Sequence, residues 1–256
     1  MPREPSTLNR LFVAAPLHAG ALVTLEKPHA HYLLNVLRHA AGDSVLLFNG
    51  SSGEWRAVVT QASKRECVLT AETQTRQQIP LGGIWYCFAP LKSARLDYMV
   101  QKAVEMGAGQ LMPVISQHCI AQRVNLERMR ANAIEAAEQC GILAVPPITE
   151  PRSFRDTLAL WPEGRVIVFC DEAADAADPV LALKTIPRGA PAGVFIGPEG
   201  GFSGEERSAL LAMPQVLRLS LGPRIMRADT AGVAALALVQ AVIGDMMTGA
   251  QHAAKL

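Results

Sequence analysis

A chain of 256 residues has room for one large domain or two unequal ones. It is 50% apolar and 18% charged, which excludes intrinsic disorder and leaves enough apolar surface for a large core. The net charge of +1 gives no bulk signal for a nucleic-acid partner, so any such partner has to be read from local clusters and motifs.

The most apolar stretch, Ala231 to Val239, is broken by Gln240 and Asp245, short of the roughly 18–20 residues that a membrane span needs. The first ten residues carry charge with no apolar run behind them, so no secretory signal is expected. Cys67, Cys87, Cys119, Cys140 and Cys170 form no Cys-x-x-Cys pair. They suggest neither a disulfide framework nor a metal site, and read as small buried hydrophobes of a reducing cytoplasm.

Residues 1–72 read as short strands around one helix. Leu22 to Leu25 is apolar. Pro28 suits a first helical turn, with Tyr32, Leu33, Val36 and Leu37 following on one face. Ser44 to Phe48 ends in Asn-Gly-Ser-Ser-Gly, which is hairpin chemistry, and Trp55 to Thr60 and Cys67 to Ala71 supply further strands. Such closely spaced short strands predict a small barrel or sandwich. His18, His29, His31 and His39 fall here; their spacing matches no ligand pattern and leaves a partly solvated basic face. The polar stretch from Glu72 to Pro80 marks the expected domain boundary, with a second domain over 73–256.

Strands and helices then alternate. Strands are predicted at Ile84 to Phe88, Leu111 to Ile115, Val166 to Phe169, Val194 to Ile196 and Val216 to Leu219. A helix carries Leu96, Met99, Val100, Ala103 and Val104 before Gly107, and another runs from Asn125 to Cys140. Ser203 and Glu206 have the spacing of a capping box, and a last helix is expected from Thr230 to Met247. This alternation predicts an α/β layer with a mainly parallel sheet.

Two loops interrupt it, Ile196-Gly-Pro-Glu-Gly-Gly-Phe-Ser203 and Leu219-Ser-Leu-Gly-Pro-Arg-Ile-Met-Arg-Ala-Asp-Thr230. Each leaves the carboxyl end of a strand, where open α/β sheets bind ligands. An ordinary glycine-rich connection is the alternative for either loop alone; the pair points to a site. There is no Gly-Lys-Ser/Thr, and the glycines fit no G-x-G-x-x-G register, which disfavours ATP and nicotinamide chemistry.

The two loops, with RLFV near the start, HYLLNVLRHAAGDSVLLFNG, LKSARLDYMVQKAVEMG and IEAAEQCG in order between, resemble the 16S ribosomal RNA uridine N3-methyltransferases of the SPOUT superfamily. The resemblance spans nearly the whole chain. It implies a PUA-like β-barrel followed by an α/β domain with a trefoil knot, a homodimer, S-adenosylmethionine as cofactor and no metal. The implied substrate is 16S rRNA or the small subunit, and the alternatives are a lapsed RNA-binding relative or an enzyme for another RNA. The cofactor walls implied are Ile196, Gly197, Glu199, Gly200 and Gly201, then Leu219, Leu221, Gly222, Ile225, Met226 and Arg227, with Cys170 to Glu172 as a third. The last helix, through Val233, Leu236, Ala237 and Val239, belongs to a dimer interface or to the core.

Uracil N3 holds an imide proton and is a poor nucleophile until that proton leaves, which calls for a base or for cations near O2 and O4. Arg224 and Arg227 suit the cationic role, and Glu199 and Asp229 suit proton removal or the holding of those arginines. A loop cap and a helix N-cap are the structural alternatives for the two carboxylates. Arg10, His31, Arg38, Lys92, Arg95 and Arg123 form the candidate phosphate-binding set. Three positions depart from the family pattern: Ile142 and His118 stand where arginines are found, and Asp229 where glutamate is more frequent.

Overall fold

The computed structural model describes residues 8–63, 66–121, 123–174 and 178–246. The chain divides into two compact units. Among the described residues, one holds 8–80 with 137–145, and the other holds 81–136 with 146–246.

The first unit is a five-stranded sheet built from β1 (Arg10–Phe12), β2 (Leu22–Thr24), β3 (Ser44–Phe48), β4 (Glu54–Ala62) and β5 (Cys67–Arg76). The strand order is β1-β3-β4-β5-β2, with β1 parallel to β3 and the other pairs antiparallel. Alternation does the sorting in β4 and β5: Ala57, Val59, Leu69 and Ala71 are fully buried while Arg56 and Thr60 face solvent. Helix α1 (Lys27–His31) passes into a π-helical turn, Tyr32–Val36, that buries Leu33. The boundary stretch from Glu72 is strand up to Arg76. It is the second half of β5, hydrogen-bonded to β4 through backbone groups that its polar side chains do not betray.

Arg10 is the polar centre of this unit. Its Nε donates to Glu54 at 2.8 Å, and its two terminal nitrogens donate to the carbonyls of Ala137, Glu138 and Ile142 at 2.6, 2.8 and 3.0 Å. The guanidinium also lies over the Phe48 ring at 4.5 Å. Burial lowers its pKa, and the Glu54 carboxylate opposes that shift. The carbonyls at a helix end lack intrahelical donors, and Arg10 supplies them. Arg10 therefore leaves the phosphate-binding set, because its donors are spent inside the unit.

The second unit is a parallel sheet of six strands: β6 (Ile84–Phe88), β7 (Gln110–Ile115), β8 (Arg152–Ser153), β9 (Val166–Cys170), β10 (Ala192–Ile196) and β11 (Val216–Leu219). Their order is β11-β9-β10-β6-β7-β8. The helices are α2 (Ser93–Glu105), α3 (Leu126–Gln139), α4 (Phe154–Ala159), α5 (Pro179–Leu183), α6 (Gly204–Leu211) and α7 (Ala228–Val242). Short α4 and α5 escape periodicity but keep their caps, Ser153 and Asp178, each accepting from a backbone N–H of the first turn. The capping box at Ser203 and Glu206 is complete.

Strand β10 enters between β6 and β9, although both precede it in sequence. This insertion sets the loops after β9, β10 and β11 side by side. Helix α7 lies close over β6: a Cβ on Gly232 would stand 2.1 Å from the Tyr86 hydroxyl, so only glycine allows this approach. Leu236 and Val239 of α7 are core, whereas Val233 and Ala237 are half-buried. Met247, the expected end of that helix, lies outside the described residues. Among the described residues no helix is long and apolar enough to cross a membrane. Cys67, Cys87 and Cys119 are buried as expected, Cys140 is exposed and Cys170 is half-buried.

Candidate active site

The loops that leave β9, β10 and β11 enclose a cavity of about 320 Å³, at the small end of the range for small-molecule sites. Of the residues expected there, Ile196, Gly197, Glu199, Gly201, Leu219, Leu221, Gly222, Arg224, Ile225 and Met226 line it. Cys170, Asp171 and Glu172 form the third wall. Gly200 and Arg227 are not in the lining. The Cβ direction at Gly200 points to the His118 side chain, 3.4 Å away, and Arg227 is the exposed N-cap of α7 with no side-chain capping bond.

Local chemistry shapes each wall. Gly201 has φ +68°, a conformation that favours glycine, and a Cβ there would stand 3.3 Å from a Glu172 carboxylate oxygen. Ile196, Leu219, Leu221 and Met226 supply apolar surface, and Glu172, Glu199 and Arg224 supply charge. Cys170 is pushed up to about 12 by desolvation, which keeps it a thiol.

Asp171 anchors the third wall. It is buried and accepts from Arg207 at 3.2 and 3.0 Å, from Arg218 at 3.0 Å and from the Ala173 backbone N–H at 3.1 Å. Burial by itself raises its pKa, but the hydrogen bonds from Arg207, Ala173 and Arg218 and the charge of Arg207 overrule it. The carboxyl is held below its ordinary value. This network ties the loop after β9 to α6 and β11. Sequence reasoning missed it because the partners stand 36 and 47 residues away.

Arg95, placed in the phosphate set, turns to the site instead. It pairs with Glu199 of the loop after β10 and lies 3.9 Å from Asp229 in the first turn of α7. Asp229 is not an N-cap; its carboxylate accepts from the Thr230 N–H at 2.9 Å. The two carboxylates thus hold Arg95, not Arg224 or Arg227. His118 lies against the same loop, with Nδ1 3.1 Å from the Gly200 carbonyl and 3.2 Å from that of Gly201. His31, Arg38, Lys92 and Arg123 are exposed, and His31 shares a hydrogen bond with Asn35. Among the described residues no group of three or more His, Cys, Asp or Glu is arranged to hold a metal.

The model of the RNA methyltransferase domain matches residues 77–240, more than half of the chain, and that of the RNA methyltransferase PUA domain matches 25–72. A crystal structure of ribosomal RNA small subunit methyltransferase E from Neisseria gonorrhoeae, bound to S-adenosylmethionine, superposes with a TM-score of 0.82 and 30% identity. It covers 93% of this chain and 99% of that one. This chain belongs to the ribosomal RNA small subunit methyltransferase E family. Two further members are similar over 91% of the chain: the Rickettsia conorii protein, 27% identical with 95% of its own length covered, and the Synechocystis protein, 29% identical with 78% covered. The family's RNA methyltransferase domain model includes all three walls of the cavity.

Proposed function

We propose that the chain methylates N3 of one uridine in 16S rRNA of the small ribosomal subunit, with S-adenosylmethionine bound in the cavity between the three loops. The observation that carries this reading is the convergence of the two glycine-proline loops, from the parallel strands β10 and β11 on either side of β9, on one cavity in a chain of this family. The cavity suits the cofactor in kind: backbone edges and aliphatic walls for a flat base, and Glu172 for its cationic groups. When bound, S-adenosylmethionine supplies a methyl group already activated by its sulfonium.

The protein's share is alignment and charge. Holding the acceptor in line lowers the barrier by several kcal/mol. The guanidinium forks of Arg224 and Arg227 stabilise the charge that spreads onto O2 and O4 as the N3 proton leaves. Glu199 and Asp229 are held at Arg95, so the N3 proton passes to bulk water, and the arginines make that loss easier by stabilising the anion left behind. The target base leaves its stack to reach the pocket, while His31, Arg38, Lys92 and Arg123 contact phosphates. The first unit acts as the PUA-like RNA-binding barrel. The second is the SPOUT domain, with the trefoil knot formed by the cavity loops, and works as a cytoplasmic homodimer through α7.

Nucleoside mass mapping of 16S rRNA from cells lacking the gene tests this. Loss of 3-methyluridine, restored by the wild-type gene, is the expected result, and unchanged 3-methyluridine rejects the proposal. Calorimetry adds a second arm: no heat with S-adenosylmethionine at high protein concentration removes the methyltransferase reading and favours a lapsed RNA-binding protein.

A further inference from the structure

The loop that follows β7 touches both the cavity loop and the first turn of α6 behind it. The Gln117 backbone N–H donates to Glu206 at 2.8 Å, and the same carboxylate accepts from the Ser203 N–H at 2.9 Å to close the capping box. One residue on, His118 Nδ1 faces the carbonyl oxygens of Gly200 and Gly201 at 3.1 and 3.2 Å. Carbonyl oxygens only accept, so a nitrogen that faces two of them carries its hydrogen and donates. The His118 side chain also packs on the turn, with its Cβ 3.4 Å and its ring atoms Cγ and Nδ1 3.7 Å from where a Gly200 Cβ would lie. Gly201, on the other side of that turn, lines the cavity.

We infer that His118 is a positioning residue for cofactor binding: its Nδ1–H pins the Gly200–Gly201 turn in the conformation that makes one wall of the cavity. The inference rests on the cavity being the S-adenosylmethionine site. His118 is exposed and outside the lining, so it acts through the turn alone.

The test compares His118→Leu, His118→Asn and His118→Gln with the full-length wild type by calorimetry of S-adenosylmethionine binding and by steady-state methylation of small subunits. Losing one hydrogen bond weakens cofactor affinity about three- to tenfold. His118→Leu raises the cofactor KM by that factor, with kcat within about twofold and an unchanged melting temperature. His118→Asn restores the affinity, because its amide nitrogen sits where Nδ1 sits. His118→Gln does not, because its donor sits where Nε2 sits. Ser220→Trp, which fills the cavity, is the control. Wild-type affinity in His118→Leu beside lost binding in Ser220→Trp overturns the role of His118 and leaves the cavity reading standing. Retained binding in both overturns the cavity reading and the inference with it. A loss that His118→Asn fails to restore, or a rise in the RNA KM alone, also overturns it.

Discussion

Arg95, in the first turn of α2, closes on the carboxylate of Glu199, 104 residues further along the chain, and reaches Asp229 at 3.9 Å. One guanidinium thereby joins a helix of the middle of the chain to the cavity loop after β10 and to the start of α7. Arg95 and Glu199 each keep a little over a third of the side chain in water (39% and 38%), so the pair adds little to global stability. Its consequence is local: it sets where Glu199 stands in the cavity wall.

Arg95→Ala is therefore expected to lower methyl transfer about a hundredfold, the scale of an ångström-sized misplacement, while stability changes by about 1 kcal/mol or less. Glu199→Gln lowers it similarly, and the double variant falls no further than the worse single one. Additive losses in that cycle would show that the two residues act separately.

Arg224 and Arg227 are exposed and engage no other described side chain. Removing either one costs no packing, so stability stays within about 0.5 kcal/mol. Turnover falls about 10²–10³-fold if these cations stabilise the developing charge. Near-normal methylation of small-subunit particles by Arg227→Ala would remove it from the catalytic set.

The depressed pKa of Asp171 makes stability depend on pH. A carboxyl of this kind contributes fully above its unfolded value, about 3.9, and the contribution is lost as pH falls through the lower folded value. Asp171→Asn is expected to cost about 2 kcal/mol at pH 7. That is less than a fully buried pair, because Arg207 and Arg218 keep 35% and 36% of their side chains in water. The melting-temperature gap between wild type and variant narrows as pH drops below about 4. A constant gap down to pH 2 would contradict the assignment.

Gly232→Ala places a methyl group 2.1 Å from the Tyr86 hydroxyl oxygen, between a helix and a buried strand that cannot separate freely. Overpacking of this kind costs about 1–3 kcal/mol. Tyr86→Phe removes that oxygen and leaves the ring carbon at 3.0 Å, so the double variant recovers part of the loss in denaturant titration. No recovery would mean that the helix moves as a whole.

Much of the second unit was legible in the residues. Leu96, Met99, Val100, Ala103 and Val104 mark one face of α2, and all are buried. Ser203 and Glu206 announce α6. The two glycine-proline loops announce the cavity, because glycine and proline constrain backbone conformation without help from distant residues. Less was legible where a residue's role lies in its partner. Arg10 and Arg95 look alike as exposed cations in sequence, yet one caps carbonyls near residue 140 and the other clasps Glu199. The second half of β5 hid behind its polar side chains because backbone hydrogen bonds hold it.

The strand and helix alternation and the two turns that line the cavity could be read from the residues alone. These depend on interactions within a few residues of chain, where periodicity, capping and steric restriction act. The slot of β10 between β6 and β9, which brings three loops together, and the bracing of those loops by Asp171, Arg95 and His118 became visible with the folded chain. Those contacts join residues 36 to 104 positions apart, and the path of the chain through the sheet selects them.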